Sequence, residues 1–248
     1  MKVLRIQYLV TIALLLLGMN NCQVSDNLNP EGSVIEQSLA LQPNSELSSL
    51  MGGGHNFILR EIMEDSLFDN IDVHVLYLAG EWANKTDSLI PDTTYGFNLA
   101  EYIKYASHNA DTSASKFFEA CIQHFNVPLD SLPAEWGTAL SDFTDAVDAG
   151  SAALHNYVAN YKTEDEILEN LLISGEAIYD SSFAFWNEQN LPDVAPWVVA
   201  DLVGALIGGV AEAGGEYYDG GWGNLDIWSI LYWALVGGTG FSIGVVLP

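Results

Sequence analysis

"IWSILYWALVGGTGFSIGVVLP", residues 227–248, runs for 22 residues without a charge in a chain whose formal balance is −26. Its reading decides the fold. A helix of this length rises about 30 Å, enough to cross the hydrocarbon of a bilayer. A helix buried on every side needs the same composition. The stretch before it, "APWVVADLVGALIGGVAEAGGEYY" (195–218), is nearly as apolar, and the Gly-rich turn "DGGWGN" (219–224) joins the two.

Within these arms Gly204 and Gly208, Gly209 and Ala213, and Gly240 and Gly244 keep four-residue spacing. Small residues at that step let two helix backbones approach closely. On an exposed helix each glycine would cost about 1 kcal/mol relative to alanine. The spacing therefore predicts a tightly packed helical hairpin, with Gly204, Gly208, Gly240 and Gly244 as helix-packing glycines and Glu212 outside the tightest contact. Asp201 near the middle of the first arm opposes membrane insertion by ~2.5–3.5 kcal/mol. The second arm is long enough to span but has no basic flank. The expectation is burial on a helical core; the alternative is a membrane-active protein that inserts this tail.

Working outward, residues 51–192 read as helices. In "AEWGTALSDFTDAVDAGSAALHNYVANY" (134–161), Trp136, Leu140, Phe143, Val147, Leu154, Val158 and Tyr161 recur at three- and four-residue steps, with Gly150 interrupting the stripe. Pro133 suits a first helical turn. In "TEDEILENLLISGEAIYDSSFAFW" (163–186), Thr163 and Glu166 stand in capping-box spacing. These two helices are expected to pack antiparallel. Helices are also expected over Asn56–Phe68, Leu99–Ser107 and Ser113–Phe125, and "NIDVHVLYLAGEW" (70–82) reads as helix for want of a strand to pair with. The fold class is all-α: a helical bundle with a glycine-rich C-terminal helical hairpin.

The other end sets the compartment. "MKVLRIQYLVTIALLLLGMNNC" has Lys2 and Arg5, an apolar core from Tyr8 to Leu17 and a polar stretch to Cys22, the layout of a secretory signal. The divisions are a signal peptide at 1–21, a flexible tether at 22–50, a helical domain at 51–192 and the apolar hairpin at 193–248. Cys22 sits where an exported lipoprotein carries its acyl chains. The expectation is lipidation at Cys22 and residence at the outer membrane or cell surface, otherwise in the periplasm. The alternative is cleavage nearby, with Cys22 free or paired to Cys121.

Five basic residues remain after the signal, Arg60, Lys85, Lys104, Lys116 and Lys162, against 33 carboxylates. So acidic a chain repels phosphate backbones, and no nucleic-acid partner is expected. The charge suits solubility at high salt or a cationic partner; no EF-hand run is present. There is no P-loop, H-E-x-x-H or Glu-x-x-His motif. No catalytic residue, metal or cofactor is therefore assigned, and an unrecognised hydrolase ranks third among the functions. Cys121, beside Ile122 and Phe125, reads as a structural thiol.

His-Asn occurs three times, at His55–Asn56, His108–Asn109 and His155–Asn156. Asn56 suits a helix start and Asn109 a helix end; His55, Asn56, His155 and Asn156 are the candidate polar cluster. The first pair lies in "MGGGHNFILREIMEDSL" (51–67), which resembles the G-x-x-H-N-x-x-L segment of uncharacterised exported lipoproteins of Bacteroidota-type bacteria, several of which end in a glycine-rich apolar tail. That resemblance implies a compartment and an architecture but no activity. The expected role is binding or structural, with the membrane reached through the lipid anchor and a protein partner at the cell envelope.

Overall fold

The computed structural model describes residues 45–64, 70–86, 98–189, 195–220 and 226–246. Among them are nine α-helices, a single 3-10 turn and no strand: the architecture is all-α. The helices are α1 (Ser45–Glu64), α2 (Ile71–Thr86), α3 (Leu99–Asn109), α4 (Ala114–Phe125), α5 (Ala134–Asp148), α6 (Ser151–Asn160), α7 (Glu166–Glu188), α8 (Ala195–Gly220) and α9 (Ile227–Val246), with the 3-10 turn at Leu129–Ser131 between α4 and α5. The signal segment and Cys22 lie outside the described residues. Helix α1 begins at Ser45, inside the stretch read as tether, and buries Leu47.

The centre of the fold is the antiparallel pair α8 and α9. Residues 196–216 and 227–246 are each long and apolar enough to span a bilayer, and most of each stretch is buried inside the protein. Burial on all sides explains why these helices are apolar all round rather than along one stripe. The remaining helices surround the pair. Helices α1, α2 and α3 pack on α9, while α4, the 3-10 turn and α7 pack on α8. Helices α5 and α6 form an outer layer over α4 and α7. One hydrophobic cluster runs through α1–α7 and both C-terminal helices alike.

Glycine sets the closest approaches. A Cβ at Gly208 would stand 2.1 Å from the Trp233 carbonyl oxygen, at Gly204 2.3 Å from that of Gly237, and at Gly237 2.2 Å from that of Gly204. Gly240 and Gly244 have a different neighbour from the one their spacing suggests. They face α3, where added Cβ atoms would meet Leu99 at 2.6 Å and the Ile103 carbonyl oxygen at 2.3 Å. The α8 seam on α9 uses Gly237 instead, because an antiparallel partner needs its gap opposite Gly204.

Local chemistry explains where the outer helices stop. The stripe at 134–161 is two helices, not one, because Gly150 takes φ 106°, a left-handed conformation that breaks the hydrogen-bond ladder. Asp165, rather than Thr163, caps α7: its Oδ1 accepts from the amides of Ile167 and Leu168, both at 3.1 Å, and its Oδ2 accepts from Trp136 Nε1 at 2.7 Å. Thr163 Oγ1 accepts from the Asp165 amide. That carboxylate ties the start of α7 to α5. Ser113 caps α4, and Asp148 at the end of α5 accepts from Ser113 Oγ, Ser115 Oγ and the Ala114 amide at 2.8, 2.5 and 2.6 Å. Partial burial raises the Asp148 carboxyl's pKa, but these hydrogen bonds outweigh it and hold the value below the ordinary one.

The main partners of α7 are not α5 and α6. Its broad contacts are with α1 and α8, and it places Leu171 against Gly209 and Ile178 beside Gly238. Gly52 faces the Ala177 carbonyl and Ser181, and Arg60 reaches Glu188 at 3.4 Å, so α1 and α7 run in the same direction.

Replacing Gly208 with leucine should force α8 and α9 apart, at a cost of at least the usual 1–3 kcal/mol of overpacking. Gly137, whose added Cβ would meet nothing within 4 Å, should accept alanine with a gain of roughly 0.5–1 kcal/mol. Thermal melting of Gly208→Leu and Gly137→Ala, read side by side, checks both signs; a Gly208→Leu protein melting with the parent would contradict the seam.

Candidate functional site

Among the described residues, a polar centre lies in the interior where three helices meet. His55 on α1 and Asp201 on α8 are both fully buried, with Nε2 3.2 Å from Oδ1. The other carboxylate oxygen, Oδ2, accepts from Ser182 Oγ in a short bond and from Trp186 Nε1 at 3.1 Å, both from α7. His55 Nδ1 lies 3.1 Å from Asn56 Oδ1. Neither Nε2 nor Oδ1 makes an aligned hydrogen bond, so the two are in close contact without being hydrogen-bonded.

Three sequence features build this centre. The glycines of "MGGGHN" bring α1 in: an added Cβ at Gly54 would stand 2.6 Å from Trp82 Nε1 and 3.0 Å from Leu235, and one at Gly53 3.3 Å from Trp82. The Trp82 indole then donates to the Leu50 carbonyl at 3.1 Å and stacks on Phe57 at 5.5 Å between ring centroids. On the other side, Trp186 packs edge-on to Phe185 and 5.4 Å from Trp197. The centre is walled by aromatic rings, and its chemistry follows from that. Ser182 donates to the carboxylate rather than to the histidine, and every member is sealed from solvent, so the trio cannot act as a nucleophile, base and orienting acid on a substrate. It can hold helices together.

Glu212 and Glu216 are buried as well. Ser229 Oγ donates to Glu212 Oε1 at 2.6 Å, and the Asp226 amide donates to Glu216 Oε2 at 2.7 Å. Glu212 therefore lies in the α8–α9 contact, one turn beyond the glycine seam, where replacement would strand Ser229.

The candidate polar cluster separates into an inside and an outside. His55 points inward, whereas Asn56 lines a surface groove of about 530 Å³ between α1 and α7, with Ser48, Ser49, Glu176, Asp180 and Ser181. His155, exposed on α6, meets the rim: its Nε2 lies 3.0 and 3.1 Å from the two Asp180 oxygens and 3.9 Å from Glu176. Asn156 instead takes part in its own helix, where its side-chain and backbone oxygens accept from Asn160. So Asn56 and His155 share a neighbourhood that His55 touches only through Asn56, while Asn156 lies away from it. Asn56 sits mid-helix rather than at a helix start.

The third pair behaves differently again. Asn109 is the last residue of α3 and donates to the Tyr105 carbonyl; His108 is exposed beside Ser107. Cys121 is buried, and burial pushes its thiol pKa well up, away from reactivity. Among the described residues, no three His, Cys, Asp or Glu side chains stand together as metal ligands.

No protein-family model, no curated protein and no solved structure matches the chain significantly. Sequence reasoning missed Ser182, Trp186 and Asp201 as members of a site. The available signal was a lone carboxylate in an apolar helix, which demands a partner wherever that helix is buried.

Asp201→Ala should cost about 3–5 kcal/mol, because it strands a buried histidine and two donors. Adding His55→Leu should recover part of that loss. Urea unfolding of both single variants and the double variant measures the coupling; additive losses would mean that the contact holds nothing.

Proposed function

We propose that this chain is an exported protein held at the cell envelope by lipid on Cys22, with a binding role centred on the groove between α1 and α7. The observation that supports it is the pair Glu176 and Asp180, one helical turn apart on that groove beside three serines and Asn56, with no lysine or arginine in the lining. Such a groove suits a basic segment of a partner protein at the envelope, in keeping with the net acidity of the chain. Partial burial raises the Glu176 carboxyl's pKa; nearby His155 opposes this and Asp180 adds to it. A carboxylate held under that strain gains from an arriving cation. The resemblance of residues 52–59 to exported lipoproteins of Bacteroidota-type bacteria supports the compartment, as does the signal-like start.

The test has two arms. Cys22→Ser should move the protein out of the membrane fraction and abolish acyl labelling; an unchanged membrane fraction refutes the anchor. Titration with an oligolysine peptide should weaken about fivefold or more in Glu176→Gln and in Asp180→Asn. It should also weaken as pH falls, sooner than an ordinary glutamate would dictate, because the raised pKa makes Glu176 lose its charge earlier. Asp130, exposed on the 3-10 turn, provides a charge-matched control: an equal loss in Asp130→Asn would make the binding diffuse and sink the groove.

A further inference from the structure

Among the described residues, four large hydrophobic side chains are exposed: Met63, Val73, Tyr77 and Phe183. Two of them belong to the helices that form the acidic groove. Met63 follows Asn56 by two turns of α1, and Phe183 follows Asp180 by three residues of α7. Side chains at such spacings share one side of a helix, so each stands on the line that carries groove residues. They are 44% and 48% exposed. Single exposed apolar side chains are ordinary; these two differ in being placed together.

Because α1 and α7 run in the same direction, both apolar side chains lie beyond the same end of the groove. Met63 is about 10 Å past Asn56 along its helix, and Phe183 about 5 Å past Asp180. Charge divides the surface the same way. Glu176 and Asp180 line the groove. Arg60, the one lysine or arginine on either helix, stands between Asn56 and Met63 and is paired with Glu188. The surface therefore has an anionic end and an apolar end. Two smaller grooves lack this division: one of about 410 Å³ between α4 and α5 contains Lys116, and one of about 340 Å³ between α3 and α4 contains Lys104. None of the four exposed hydrophobics belongs to their helices.

We propose that this surface takes an amphipathic segment of a partner protein in one orientation, its basic residues over Glu176 and Asp180 and its apolar residues on Phe183 and Met63. The inference rests on the groove reading above and extends it to the partner's pattern. Attraction to two carboxylates leaves a basic segment free to slide or reverse, whereas an apolar contact at one end fixes its position. Arg60 acts in the same sense, since it repels a basic residue carried too far along and so disfavours a uniformly basic ligand. Aromatic residues and methionine are the side chains that interface centres favour. The acids then supply attraction and selectivity, and the apolar end supplies affinity.

The experiment titrates the full chain carrying Cys22→Ser with three peptides: an oligolysine, and the same lysine run with two leucines added at one end or at the other. At least one leucine peptide should bind about tenfold more tightly than oligolysine, the effect of partly burying an apolar side chain. Phe183→Ser and Met63→Ser should remove that gain and leave oligolysine binding as it was. Both residues are exposed, so an unchanged melting temperature shows that the fold is kept. Glu176→Gln should weaken all three peptides and preserve their ratio. Val73→Ser, an equally exposed change on α2, should alter nothing. Oligolysine binding with no gain from leucine overturns the inference and leaves the groove reading standing, whereas no oligolysine binding sinks the groove reading itself. A gain that survives both serine variants, or that Val73→Ser also removes, overturns it too. Equal peptide affinities with flotation on phosphatidylcholine vesicles, abolished by Phe183→Ser, would give these side chains to a lipid surface instead.

Discussion

Everything in this fold depends on two backbones lying closer together than side chains normally allow. Gly204 and Gly208 of α8 meet the carbonyls of Gly237 and Trp233 of α9 at a distance that excludes any Cβ. Close approach lets two apolar helices share one narrow axis, and the shorter amphipathic helices can then cover that axis completely. The same device recurs where the shell touches the pair: Gly244 against the backbone of α3, Gly209 against Leu171, and Gly54 between Trp82 and Leu235. Glycines that would weaken isolated helices are offset here by packing on every side.

A core so apolar leaves little room for polar groups, and the few that are present bind particular elements together. Asp201 draws α1 and α7 to one point on α8. Asp165 begins α7 and holds Trp136 of α5. Asp148 ends α5 and gathers the start of α4. In each case one carboxylate accepts several donors and ties its own helix to another, which fixes their relative register more firmly than apolar contact alone. The acidity of the chain thus has an interior use as well as a surface one. Outside, the carboxylates of α7 face a groove; inside, Asp201 joins three of the helices.

Much of this was legible in the residues. The all-α class followed from periodicity, and the ends of α3 and α4 from Asn109 and the serine cap at 113. What escaped was the choice among neighbours. Four-residue spacing shows that Gly240 and Gly244 want a close partner but not that the partner is α3. The stripe at 134–161 looks continuous because both halves bury the same face, and the left-handed turn at Gly150 that divides them cannot be told from an ordinary interruption. His55 stood out in the sequence by its repeated dipeptide, yet its partner Asp201 lies far along the chain on another helix, and only the packing of α1 brings them together. Asn56 and His155 were joined for a reason that concerns neither directly: Glu176 and Asp180 of α7 stand between them.

The central claim is that α8 and α9 form the core of a fold that is stable in water, and amide hydrogen exchange at neutral pH in detergent-free buffer tests it most directly. If the pair is the core, the amides of Val199–Val210 and Ile230–Ile243 exchange most slowly of all, and only through global unfolding. Exchange of those amides faster than that of α5 and α6 would contradict it, since a loosely held apolar pair cannot be what the other helices are built upon.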